Sequence, residues 1–177
     1  LICNQVPPLD IPYILVPDGR RALGQLGAAL KQRLAPKTVA ITGSAGKTTV
    51  KEMLAAILQQ QGPVLATAGN FNNDIGVPLT LLRLTEQHRF AVLELGANHP
   101  GEIAYTTALV KPDVALITNA AASHLEGFGD IYGVARAKAE IYHGLTASGV
   151  AIVSLDSDYS DYWLAQVVAH PYRTFSI

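Results

Sequence analysis

Six short runs of apolar and β-branched residues punctuate the chain, at 13–16, 38–42, 63–67, 90–95, 113–118 and 149–155. Hydrophobic side chains follow one another there without the alternation of a half-wet strand, so each run is expected as a parallel strand buried on both faces. Between them, apolar positions recur at helical spacing. Residues 18–34 align Ala22, Leu26, Ala29 and Leu30, and residues 47–60 align Val50, Met53, Leu54, Ile57 and Leu58. Shorter helices are expected over 77–84, 101–110, 131–145 and 158–170. Strand and helix in alternation predict an α/β fold, a mostly parallel sheet flanked by helices with right-handed crossovers. The opening LICNQVPPLDIP carries three prolines in twelve residues and reads as a linker or the remnant of a preceding domain. The main domain is therefore expected over 13–177. The closing YRTFSI reads as one more strand with no helix after it, so the domain is expected to be truncated on its C-terminal side.

Composition narrows the partners. A chain of 177 residues, 49% hydrophobic and 15% charged, fits an ordinary globular domain with one sizeable core. A net charge of -1 supplies neither a basic field for nucleic acid nor a polybasic face for an anionic membrane. No apolar run approaches the roughly 18 residues of a membrane span, and no secretory leader opens the chain. One cysteine, Cys3, cannot close an internal disulfide. The expected setting is a reducing cytoplasm, with small-molecule partners, no nucleic acid and no stable membrane insertion.

Ligands of parallel sheets gather at the carboxyl ends of the strands, and four stretches there carry chemistry. The first is AITGSAGKTTVKEML at 40–54. The common phosphate loop, G-x-x-x-x-G-K-[ST], wants glycine where Ile41 stands, and here the first glycine comes late, at Gly43. Gly43 and Gly46 still let the backbone close its N–H groups onto an anion, and a helix beginning near Lys47 adds its positive dipole end. Lys47 would reach terminal phosphates and the Thr48 hydroxyl would ligate magnesium. The alternative is a tight strand-to-helix turn that merely needs glycine. Glu94, closing FAVLE, is either a solvated strand end or a magnesium ligand beside that loop. His124, in ITNAAASHLEGFG, is either a surface residue or a site residue on the same edge. The stretch TAGNFNNDIGVP at 67–78 is rich in turn formers that serve loop geometry or a ligand equally well. Lys138 stands on an amphipathic helix, where a lysine usually takes the wet face and periodicity cannot say otherwise.

Taken together, TGSAGKTTVKEML, TAGNFNNDIGVPLTLLRL, AVLELGANHPGEI and HLEGFGDIYGVARAKAEI resemble the central ATPase domain of the Mur ligases. The wording is most similar to the members that add D-alanyl-D-alanine to UDP-N-acetylmuramoyl-tripeptide in peptidoglycan synthesis. The likeness runs from about residue 13 onward, with its specific motifs between 38 and 145. The late glycine then has a reason, because these ligases use a TGxxGK[ST] loop. The resemblance implies an incomplete central domain of phosphate-loop NTPase type that activates a carboxylate as an acyl phosphate for attack by an amine.

By the same resemblance, Gly43, Ser44, Ala45, Gly46, Lys47, Thr48 and Thr49 hold the phosphates of ATP. Thr48 and Glu94 hold a first magnesium ion, and His124 with a carbamylated Lys138 serves a second. Lys47, His124 and Lys138 form the implied catalytic set. Asn70, Asn73 and Asp74 are implied on the substrate side of the cleft, with His99 nearby. The family also implies N-terminal and C-terminal domains on the same polypeptide, so the 177-residue chain alone is expected to be inactive. The competing readings are another Mur ligase or a folylpolyglutamate synthase-like ligase, a phosphate-loop kinase, and a nucleotide switch that would tolerate loss of His124 and Lys138.

Overall fold

The continuous apolar runs become strands, and the sheet they form places the glycine loop near its middle. The computed structural model describes residues 1–123 and 125–176. Strands β1 (Ile2–Cys3) and β2 (Ile14–Leu15) pair in parallel as a separate ribbon. The main sheet comprises β3 (Lys37–Thr42), β4 (Val64–Ala66), β5 (Phe90–Glu94), β6 (Val114–Ile117), β7 (Val150–Ser154) and β8 (Tyr172–Phe175). All six run parallel, in the order β4-β5-β3-β6-β7-β8. Around the sheet stand α1 (Gly19–Leu34), α2 (Lys47–Gln59), α3 (Gly76–Leu81), α4 (Glu102–Val110), α5 (Leu125–Phe128), α6 (Ile131–Ala139) and α7 (Ser160–Gln166).

Strand alternation divides the apolar side chains between two faces. Ala40, Ala91, Leu93, Ala115, Ile117, Ala151 and Val153 join the larger core, with Leu81, Ile103, Tyr142 and Trp163 from the helical segments. Ile41 and Val92 point to the other face, where Ala55, Val50, Leu54 and Leu58 of α2 cover them. Each large side chain fully buried in this way contributes about 1.5–3 kcal/mol of transfer free energy. The polar tips inside the larger core are satisfied: Trp163 Nε1 donates to the Ala135 carbonyl at 3.1 Å and Tyr142 Oη to that of Ile152 at 2.9 Å.

Three expectations need correction. The run at 13–16 does not enter the main sheet, and Ile14 and Leu15 remain 63% and 55% exposed. It finds its partner in the proline-rich opening instead. The helix expected over 131–145 ends at Ala139 and tightens into a 3-10 turn, Glu140–Gly144. There the Glu140 carboxylate accepts from the backbone N–H groups of Gly101 (2.8 Å) and Ala104 (2.9 Å), capping α4. Lys138, expected on the wet face as a lysine of an amphipathic helix usually is, is buried. Among the described residues, no helix is long and apolar enough to cross a membrane.

Candidate active site

The loop between β3 and α2 turns on its glycines. Gly46 sits at φ 79°, a left-handed conformation that L side chains avoid. At Gly43 the limit is space, because a Cβ there would collide with the Thr118 hydroxyl. Among the described residues no side chain caps α2, so the first-turn amides of Lys47, Thr48 and Thr49 offer donors at the positive end of the helix dipole. Such an end is a ready anion site. Lys47 Nζ folds back on the Gly43 carbonyl at 2.7 Å.

The loop rests on the segment after β6, which sequence reasoning searched only for His124. The Asn119 carbonyl accepts from Ser44 N (3.1 Å), and its side-chain Oδ1 accepts from Ala45 N (2.9 Å). Thr118 Oγ1 donates to the Ala45 carbonyl at 2.6 Å, and Ser123 Oγ donates to Ser44 Oγ at 2.9 Å. Position just beyond a strand's carboxyl end was the available signal for these residues. His124 itself lies outside the described residues; Ser123, beside it in sequence, lines the cleft.

Glu94 closes β5 at 3% exposure. One carboxylate oxygen accepts from Thr48 Oγ1 and the other from Asn72 Nδ2, both at 2.9 Å. Sequence reading named Asn70, Asn73 and Asp74 in this stretch and missed Asn72. Asn73 does line the cleft, yet its Oδ1 accepts from Gly76 N at 2.8 Å and so opens α3. Asp74 forms an exposed ion pair with Arg20 at 3.3 Å, and the exposed Asn70 is not part of the cleft wall.

These elements enclose a cleft of about 240 Å³ walled by Lys47 of the loop, Asn72, Glu102 of α4 and Lys138 of α6, among others. Lys138 is 4% exposed and has no hydrogen-bond or ion-pair partner among the described residues. Burial, reinforced by the positive charge of Lys47, pulls its ammonium pKa down to about 8. Burial alone would raise Glu102, but hydrogen bonds from Asn98 N (2.7 Å), the His99 ring (3.2 Å) and His99 N (3.3 Å) hold its carboxyl below the usual range. His99 itself is exposed and orients Glu102 from the rim.

The donor set fits magnesium. A carboxylate, a hydroxyl and an amide meet within hydrogen-bond distance, and no three His, Cys, Asp or Glu side chains converge among the described residues. A hard cation held by one or two protein oxygens and completed by phosphate and water suits that arrangement. The amine of Lys138, buried and without a partner among the described residues, is more readily neutral than an ordinary lysine.

The profile of the family described as Mur ligase middle domain matches residues 41–177. The chain is 56% identical over 172 residues to UDP-N-acetylmuramoyl-tripeptide--D-alanyl-D-alanine ligase of Haemophilus influenzae, covering 95% of this chain and 38% of that protein. The crystal structure of MurF from Acinetobacter baumannii superposes with a TM-score of 0.96 at 46% identity, covering 98% of this chain and 39% of that one. MurF from Thermotoga maritima, solved in complex with ADP, gives 0.83 at 29% identity, covering 99% and 40%. The chain thus spans about two fifths of the length of these relatives. Profile, identity and superposition agree that the chain belongs to the Mur ligase family, as its middle domain.

Proposed function

We propose that the chain is the ATP-binding unit of a ligase that joins D-alanyl-D-alanine to UDP-N-acetylmuramoyl-tripeptide through an acyl phosphate. The observation that carries this reading is the hydrogen bond between Thr48 and Glu94 at the uncapped start of α2, with Lys47 and Lys138 on the adjoining cleft. The names of the relatives supply the substrates, and the ADP in the Thermotoga structure supports a nucleotide on the loop.

Gly43 to Thr49 would hold the phosphates, and Lys47 would leave the Gly43 carbonyl to stabilise charge on the transferred group. Thr48 and Glu94 would hold magnesium, which would supply charge neutralisation at the phosphates. Asn72 keeps the Glu94 carboxylate turned toward Thr48. Lys138 would first give up its ammonium proton; the neutral amine would then attack carbon dioxide, forming an N–C bond as one C=O π bond opens and releasing a second proton to solvent, so that a buried cation becomes an anion. With His124, that carbamate would serve a second magnesium ion. Asn73 would face the substrate side of the cleft, whereas the Arg20 pair and the exposure of Asn70 favour loop roles for Asp74 and Asn70.

Residues 13–177 would form the ATP-binding domain, residues 1–12 a connection to an N-terminal domain, and a C-terminal domain would complete the site on closure. A need for ATP and a nucleotide-sugar substrate would favour a cytoplasmic setting. The 177-residue chain alone should form no amide. The test is phosphate release from ATP by the intact protein with magnesium and the muramoyl tripeptide, with and without D-alanyl-D-alanine. Release that depends on the dipeptide and yields a new amide supports the ligase. Release indifferent to every amine leaves a kinase or a switch and overturns it.

A further inference from the structure

Among the described residues two buried cations, Lys31 and Lys51, have no part in the chemistry described above, and of these Lys51 lies on the helix that carries Thr48. Lys51 is the second lysine of α2, one turn beyond Lys47, and it is 1% exposed. Its Nζ donates to the Thr67 carbonyl at 2.7 Å and pairs at 2.8 Å with Glu52, whose carboxylate lies at the surface. Thr67 follows β4 directly and is itself buried, with its N–H donating to the Val92 carbonyl at 3.1 Å. The Thr67 hydroxyl accepts from Glu94 N at 2.9 Å. Glu94 returns to α2 by accepting from Thr48.

These contacts close a circuit. Its two ends, Thr48 and Lys51, lie three residues apart on one rigid helix, and its middle passes through the end of β4 and the end of β5. A strand end is free to fray, and a carboxylate on its last residue then loses its place. Here the backbone of Glu94 is tied through Thr67 to the helix that carries Thr48. Asn72 belongs to the same arrangement, because its carbonyl accepts from Gly96 N at 2.8 Å just beyond Glu94. A buried ammonium is costly where a carbonyl alone needs a donor, so its retention calls for a role beyond filling space.

We propose that Lys51 is a positioning residue that, through Thr67, sets the distance between Thr48 and Glu94 and so the affinity of that pair for the divalent cation accompanying the nucleotide. The proposal rests on the nucleotide reading given above. Partners one bond removed from metal ligands typically change affinity by about tenfold or more, without touching the ion.

The test compares Lys51→Met, Thr67→Val and Thr67→Ser with the unsubstituted intact protein. Mn2+ stands in for Mg2+, and its binding is followed by electron paramagnetic resonance with a non-hydrolysable ATP analogue present. Lys51→Met keeps the stem and removes the donor; Thr67→Val keeps the shape and removes the hydroxyl; Thr67→Ser restores it. Lys51→Met and Thr67→Val should each weaken Mn2+ binding roughly tenfold, Thr67→Ser should restore it to within about twofold, and analogue binding in EDTA should stay unchanged. Mn2+ affinity equal to the unsubstituted protein in both variants overturns the proposal, as does a loss that Thr67→Ser shares with Thr67→Val. If Lys51→Met fails to fold, the Thr67 pair decides by the same criterion. An unsubstituted protein that binds neither analogue nor Mn2+ overturns the nucleotide reading first, and the proposal with it.

Discussion

At the scale of single residues, Lys138 has the clearest thermodynamic signature. Its folded pKa of about 8 lies below the ordinary lysine value of 10.5, so the fold disfavours its charge. Below about pH 8 both folded and unfolded states carry the proton, and the penalty is fully present. Between about 8 and 10.5 the folded state gives up its proton first, and stability rises with pH as the penalty fades. Lys138→Met should therefore raise unfolding stability near pH 7 by up to roughly 3 kcal/mol, with the gain vanishing above about pH 10.5. Urea unfolding in carbon dioxide-free buffer reads this, and a gain that persists at high pH would contradict it. Thr48→Val should abolish magnesium-dependent nucleotide binding while leaving the melting temperature within a few degrees, since Asn72 still holds one oxygen of Glu94.

Legibility also differs residue by residue. Thr48 could be read because it follows Gly46 and Lys47 where a strand's loop opens a helix, and Glu94 because it closes β5 at the carboxyl end, where chemistry in such sheets concentrates. Lys138 could not be read from its own position, because a place on an amphipathic helix does not tell whether the facing surface is solvent or a cleft, and it entered only through the family resemblance. Asn72 could not be separated from Asn70 and Asn73 because a turn has no periodicity. In it, one Asn reaches Glu94 while its neighbour caps α3.

At the scale of elements, α1 and α2 begin in opposite ways. The Asp18 side chain accepts from the Arg20 and Arg21 amides and closes the start of α1, whereas α2 leaves its first turn open for an anion. Asp18→Ala should cost about 1 kcal/mol of stability with nucleotide affinity unchanged. Asn119→Ala removes the acceptor for Ala45 N and should weaken nucleotide binding several-fold with a small change in melting temperature. Calorimetry separates the two, and equal effects on binding would show that the loop does not depend on its Asn119 support. The buried strands were legible because apolar runs leave them no exposed alternative. The break after Ala139 was not, because it follows from Glu140 reaching the start of α4, a contact that lies in tertiary structure.

At the scale of the whole molecule, a parallel α/β sheet could be inferred, but the order of its strands could not. Alternation of runs with helices says that crossovers exist, not which neighbours each strand takes. The structure puts β3 between β5 and β6, with Lys37 opposite Phe90 and Val39 opposite Val114. The glycine loop leaves from that central strand, so its supports come from segments distant in sequence. During synthesis the loop is complete at Gly46, whereas the Thr118 and Asn119 that hold it emerge only after three more strands have been made. Closing such distant pairings is slow, because the entropy of a long loop is lost before any contact compensates it. A nascent chain halted before Thr118 should therefore carry the whole glycine motif and yet show no protection of it against protease by added ATP. Nucleotide could then act as a folding ligand only late, by trapping a sheet already closed.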